Sequence, residues 1–183
     1  MIQKHLVLGG ARSGKSLYAE KLISCFPPPY IYIATAEVLD DEMADRVRRH
    51  RERRGDQWIT YEEPLGLVKL LQTLTPTSSP ILVDCLTLWL SNLLIAEQDA
   101  EGEVERLCGI IRQSTASPLI FVSNEVGLGI VPENDLARRF RDVAGWAHQK
   151  IAAECTHVTW MVAGIPVVVK HPEGKPPGQD IFC

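Results

Sequence analysis

The sequence predicts a three-layer α/β sandwich around a mostly parallel sheet, and two observations predict it. Short β-rich runs at 4–8, 30–34, 80–84, 118–123 and 157–163 alternate with helical patterns, the order that buries a parallel sheet between helices. The first run, ending Leu6, Val7, Leu8, leads straight into GGARSGKS at residues 9–16. GxxxxGK[ST] therefore stands between a strand and a helix, the setting in which it forms a phosphate-binding loop.

Each position of that motif has a physical task. Gly9, Gly10, Ala11, Arg12, Ser13 and Gly14 let the backbone curl until successive N–H groups converge on phosphate oxygens, and the following helix adds its positive end. Lys15 supplies a point charge toward the β and γ phosphates. Ser16 presents a hydroxyl to a magnesium ion, which takes oxygen ligands in octahedral geometry. The expectation is a P-loop NTPase of RecA-like architecture performing phosphoryl or nucleotidyl transfer. The structural alternative is a glycine-rich turn that only packs a helix on a strand.

The remaining elements follow from periodicity and punctuation. The segment 132–154 carries Leu136, Phe140, Val143, Ala147 and Ile151 at three- or four-residue spacing, an apolar stripe of one packed helix opening at Pro132. A second helix is expected over 86–95. PPP at 27–29 and PTSSP at 76–80 mark loops. Val167, Val168 and Val169 fit a last edge strand, and HPEGKPPGQDIFC at 171–183 is proline- and glycine-rich, a flexible and dispensable tail. One catalytic domain over 1–170 results.

Composition narrows the function classes. A chain of 183 residues with 45% hydrophobic content suits one domain with a sizeable core. A net charge of −4 argues against a general nucleic-acid coat, which needs a basic surface. The five cysteines (25, 85, 108, 155 and 183) are scattered without a CxxC pair, which indicates neither a disulfide framework nor a zinc site and fits a reducing cytoplasm. No apolar run approaches the roughly 20 residues of a membrane helix, and a soluble protein is expected.

Outside the phosphate loop, four places carry chemistry, each with a plainer reading beside it. Ile81, Leu82 and Val83 end in Asp84, the pattern that holds magnesium in phosphate-loop enzymes; the alternative is a cap for the helix after it. The run DDEMADRVRRHRERR at 40–54 sets six arginines around His50. Arginines at that density point to a polyphosphate, and their charge keeps the imidazole neutral and able to attack phosphorus; a solvated basic helix is the alternative. Asn124 and Glu125, at the end of a strand entering VGLGIVPEN, are either substrate contacts or turn-stabilising side chains. Trp58 and Glu62 in WITYEEP are either edge-strand packing or a nucleobase wall with a carboxylate for guanine N–H groups.

Taken together, GGARSGKS, YIATAE at 32–37, DDEMADRVRRHRERR, LVDCLTLWLSNLL from Leu82 and VSNEVGLGIVPENDLARRFRDVAG from Val122 closely resemble the bifunctional adenosylcobinamide kinase and adenosylcobinamide-phosphate guanylyltransferase family. The match covers nearly the whole chain before the tail; that tail and His148 are departures. The resemblance implies phosphorylation of adenosylcobinamide with ATP or GTP, then transfer of GMP from GTP to the resulting phosphate with release of pyrophosphate. It implies a guanylyl-histidine at His50, and nucleotide contacts at residues 9–16, Ala34, Thr35, Ala36, Arg51, Glu52, Arg53, Arg54, Glu62 and Asp84. Magnesium at Ser16 and Asp84 is expected with the nucleotides, and the family implies a homotrimer.

Two rivals make different demands. A plain phosphate-loop small-molecule kinase would use the basic run only to clamp substrate phosphate and form no covalent nucleotide. A nucleic-acid-binding ATPase module would lay Arg46 to Arg54 along a phosphate backbone, against which stand the acidic total and the absence of aromatics in that run. Nucleic acid is not expected as a partner.

Overall fold

The computed structural model describes residues 3–36 and 55–172. In chain order its elements are β1 (Lys4–Gly9), α1 (Lys15–Ile23), β2 (Tyr30–Ala34), β3 (Trp58–Glu62), α2 (Leu67–Leu74), a short 3-10 turn (Thr75–Thr77), β4 (Ile81–Asp84), α3 (Leu86–Ile95), α4 (Ala100–Gln113), β5 (Leu119–Asn124), α5 (Asp135–Glu154), β6 (His157–Val162) and β7 (Ile165–Lys170). The expected helix at 40–54 and the tail from residue 173 lie outside the described residues.

The strands form one seven-stranded sheet in the order β3-β2-β4-β5-β1-β6-β7. Only β7 runs antiparallel, returning from β6. The mostly parallel α/β sandwich is therefore as expected. Strands β2, β4 and β5 read as nearly unbroken buried runs because helices cover both faces of a parallel sheet. Edge strand β7 alternates exposed and half-buried positions instead.

Side-chain alternation splits the core in two. Leu6, Ile31, Ile33, Ile81, Val83, Leu119 and Phe121 face α2, α3, α4 and α5, where Leu71, Trp89, Leu93, Leu107, Ala144 and Ile151 complete a single cluster. Their neighbours Val7, Tyr30, Tyr32, Leu82, Ile120 and Val122 face the other way, onto Tyr18, Ala19, Leu22 and Ile23 of α1. A one-residue slip in any of these strands would exchange the two sets.

Three local expectations are refined. The last helix starts at Asp135, not Pro132, because the Asn134 side chain caps it by accepting from the Ala137 N–H at 3.0 Å. Helices α2 and α4 were not read from sequence, although Val104, Leu107, Cys108 and Ile111 make a helical stripe in α4. Cys85, Cys108 and Cys155 are free thiols, whereas Cys25 is disulfide-bonded, a pairing nothing in the spacing announced. Among the described residues, no helix is long and apolar enough to cross a membrane.

Candidate functional site at the carboxyl edge of the sheet

Strand register determines what meets at this edge. Gly9 is level with Asn124 of β5 and Met161 of β6, while Asp84 pairs with Ala34, which pairs with Glu62. Asp84 is level with Val122, and Val122 with Val7. Strand β5 thus separates the Asp84 strand from the phosphate-loop strand. At about 4.8 Å per strand, Asp84 stands roughly 10 Å across from β1, a span suited to a carboxylate that reaches a metal through its water shell.

The phosphate loop closes on itself tightly. Gly9 has φ +155°, and a Cβ there would lie 2.6 Å from the Met161 carbonyl oxygen and 2.7 Å from Ser13 Oγ. Gly14 takes φ +91° as the residue before α1, a turn only glycine makes without strain. The Ser13 N–H donates to the Gly10 carbonyl at 3.3 Å, and Gly164 N–H of the β6–β7 turn donates to the Ser13 carbonyl at 3.1 Å. Lys15, only 7% exposed, folds over the loop and donates from Nζ to the Gly10 carbonyl at 2.6 Å.

Two features of this loop call for an anion. Helix α1 begins with no side-chain cap and no acidic residue in its first turn, so its positive end is uncompensated by a carboxylate. Ser13 Oγ is buried without a hydrogen-bond partner, alone in this among the described side chains. Leaving such a hydroxyl unsatisfied costs about 1–3 kcal/mol, a deficit that a phosphate oxygen at the loop would remove.

The residues on the far side of β5 divide by role. Thr35 is fully buried; its Oγ1 donates to the Cys85 carbonyl at 2.6 Å and accepts the Cys85 N–H at 2.9 Å. Its hydroxyl thus braces the end of β4 and is not turned to solvent. Asn92 holds the Thr35 carbonyl at 2.8 Å and the Pro64 carbonyl at 3.1 Å. Ala34 and Ala36 flank that brace, and Glu62 is exposed at the end of β3. The residue capping α3 is Cys85, with no side-chain cap bond, so helix capping does not account for Asp84.

Metal fit follows from the same inventory. Among the described residues no three His, Cys, Asp or Glu side chains converge as a cage. Magnesium bound with a nucleotide keeps waters and phosphate oxygens and needs only one or two protein oxygens, and the Ser16 hydroxyl and Asp84 carboxylate suit that demand.

Two open readings resolve toward structure. Trp58 sits at the amino end of β3, opposite Tyr30, with ring centroids 5.0 Å apart; it packs at the edge of the sheet remote from the phosphate loop. Glu125 accepts the Gly127 N–H at 2.6 Å and the Leu128 N–H at 3.2 Å, so its carboxylate shapes the turn. Its own N–H donates to the Gly9 carbonyl at 2.9 Å, which ties this turn to the phosphate loop.

Sequence reading noted His148 as a departure from the family but missed the polar side chains that it meets beneath that turn. Ser123 Oγ lies 2.8 Å from His148 Nε2 and 3.0 Å from Thr87 Oγ1, which accepts the Asn124 N–H at 2.5 Å. Burial pushes the His148 imidazole below its ordinary value, opposed by the charge of Glu125. Beside the departure at His148, the signal available was a serine at a core position of an apolar strand. Beside the turn, a cleft of about 800 Å³ runs between Gly10–Ser13, the 125–129 turn and the end of β6, walled by Leu128, Trp160 and Val162. His50, Arg51, Glu52, Arg53 and Arg54 lie outside the described residues.

Known proteins bear on this geometry. One solved structure, from Pyrococcus horikoshii OT3, superposes with a TM-score of 0.54 over 94% of this chain and 88% of its own, at 8% identity, a likeness of fold alone. The bifunctional adenosylcobalamin biosynthesis protein CobP of Pseudomonas aeruginosa is 47% identical, covering 91% of this chain and 97% of that protein. Its counterpart CobU of Salmonella typhimurium is 41% identical over 90% of this chain and 98% of its own. Residues 5–169 match the family described as cobinamide kinase / cobinamide phosphate guanyltransferase, and with a phosphate loop of this build at the sheet edge, the chain belongs to that family.

Proposed function

We propose that this chain phosphorylates adenosylcobinamide with ATP or GTP and then transfers GMP from GTP to the product, forming adenosylcobinamide-GDP. The observation that carries the reading is the phosphate loop, with its unpartnered Ser13 hydroxyl and uncapped helix start, in a chain closely related to bifunctional cobalamin-pathway proteins.

In the kinase step the acceptor hydroxyl forms a bond to the γ-phosphorus as the bond to the nucleoside diphosphate breaks. The protein contributes positioning and charge rather than covalent chemistry. Loop N–H groups from Gly9 to Ser16 hold the phosphates, and Lys15 exchanges the Gly10 carbonyl for phosphate oxygens. Ser16 and Asp84 would hold magnesium, which when bound neutralises phosphate charge. In the second activity, a neutral His50 nitrogen bonds to the α-phosphorus of GTP as pyrophosphate leaves. An oxygen of adenosylcobinamide phosphate then takes the guanylyl group as the P–N bond breaks. Arg51, Arg53 and Arg54 stabilise the phosphate charge, Glu52, Glu62, Ala34 and Ala36 complete the nucleotide contacts, and Thr35 braces the strand end that carries Asp84.

The acceptor's place in this reading is the cleft beside the loop, whose Leu128, Trp160 and Val162 walls suit a large, mostly apolar ring. The reading extends to a cytoplasmic homotrimer. Ile165, Val167 and Val169 lie exposed on β7, apolar surface of the kind that subunit association covers.

The deciding experiment incubates the protein with magnesium and GTP labelled at the α-phosphorus, then denatures it. Acid-labile, alkali-stable label on wild type and none on His50→Ala is the expected result. A wild-type protein that binds GTP and retains no label would leave the plain kinase.

A further inference from the structure

Ser123 occupies a position where packing asks for no hydroxyl. Along β5, Leu119 and Phe121 point into the larger core cluster, so alternation directs Ser123 to the same face, and it is fully buried. There it bridges α5 and α3, touching His148 at 2.8 Å and Thr87 at 3.0 Å. Buried polar groups in such a place are costly unless every donor finds an acceptor.

Donor counting fixes one end of the chain. The Asn124 N–H can only donate, so Thr87 Oγ1 accepts there. Between Thr87 Oγ1, Ser123 Oγ and His148 Nε2 the protons run in one direction or the other with the tautomer of a neutral imidazole. Each hydroxyl has one proton and two lone pairs, so either order pairs every group. Burial favours the neutral imidazole, whose Nε2 accepts from Ser123 in one tautomer and donates to it in the other. The chain ends at the last residue of β5, and the next N–H, of Glu125, donates to the Gly9 carbonyl of the phosphate loop at 2.9 Å.

We infer that His148 is a positioning residue for the transfer chemistry: through Ser123 and Thr87 it fixes the Asn124 N–H, and thereby the turn that Glu125 ties to the phosphate loop. Asn124 is level with Gly9, on the strand between the phosphate loop and Asp84. A turn that shifts there moves one wall of the reacting site without removing a nucleotide contact. The effect belongs in kcat rather than in nucleotide KM. This part of the inference rests on the kinase reading above, while the hydrogen-bond chain does not.

The test compares wild type, His148→Leu, His148→Gln and Ser123→Ala as full-length proteins. Backbone amide exchange at Asn124 is followed by NMR, with cobinamide phosphorylation measured in parallel. Glutamine can place an amide oxygen or NH2 group near the Nε2 position and so pair with Ser123 in either direction; leucine cannot. Expected for His148→Leu and Ser123→Ala is a tenfold or greater loss of Asn124 protection, with the β1 amides unchanged, and a kcat lowered about tenfold at a nucleotide KM within twofold. His148→Gln should recover both to within threefold of wild type. Unchanged Asn124 protection in His148→Leu overturns the chain itself. Lost protection with an unchanged kcat overturns the positioning role, as does a folded glutamine variant as impaired as the leucine one. A wild type that phosphorylates no cobinamide refutes the proposed function and the kinetic role resting on it, and leaves the amide readout to judge the chain alone.

Discussion

The Met161 carbonyl oxygen lies 2.6 Å from where a Cβ on Gly9 would stand. The end of β6 thus presses on the first residue of the phosphate loop, and the contact is with backbone, which cannot swing aside.

Gly9→Ala should therefore weaken the loop in two ways. A side chain at φ +155° is strained by about 1–3 kcal/mol, and β1 must also part from β6 or from Ser13. The expected outcome is at least a tenfold loss of ATP affinity by calorimetry together with a lower melting temperature. Wild-type affinity in Gly9→Ala would refute this account of the turn.

Thr35→Val tests the brace on Asp84. Valine fills the same space but leaves the Cys85 N–H and carbonyl without the partners they have at 2.9 and 2.6 Å. The expected destabilisation is about 1–3 kcal/mol by urea unfolding, with a weaker magnesium dependence of turnover as Asp84 loses its support. A variant of unchanged stability would show that water replaces the hydroxyl without cost.

Lys15→Ala should lower both activities at least a hundredfold, because one phosphate loop serves both nucleotides in the proposed scheme. His50→Ala should abolish GMP transfer and keep most of the kinase activity. Parallel assays of the two steps decide the matter: a Lys15→Ala protein with normal GMP transfer would require a second nucleotide pocket.

His5 makes stability pH-dependent. Burial, and then the charge of His157, push its imidazole down to about 3. It stacks on His157 at 5.2 Å and shares a hydrogen bond with Thr159 at 2.8 Å. Between about pH 6.5 and pH 3 the unfolded chain binds a proton there that the folded chain refuses, so the contribution is complete above 6.5 and declines as pH falls. Between pH 7 and 4.5 the loss from this group comes to about 3 kcal/mol. Denaturant unfolding of wild type and His5→Gln at both pH values should show the wild type losing more; parallel losses would exclude His5 as the source.

What the sequence by itself determined is local. The loop from Gly9 to Ser16 was legible because its backbone course depends on glycines adjacent in the chain, and the sheet strands because buried β-runs announce themselves over four to six residues. The edge position of Trp58 was among the readings left open. Tertiary structure alone decided the rest, since it depends on residues far apart in sequence. It inserted β5 between β1 and β4, and so set the distance from Asp84 to the phosphate loop. It turned Thr35, expected at the nucleotide, into a brace for a backbone 50 residues away, and it joined Thr87, Ser123 and His148 into one hydrogen-bond chain. A buried hydroxyl finds its partner only when the sheet is assembled, and no window of sequence contains both.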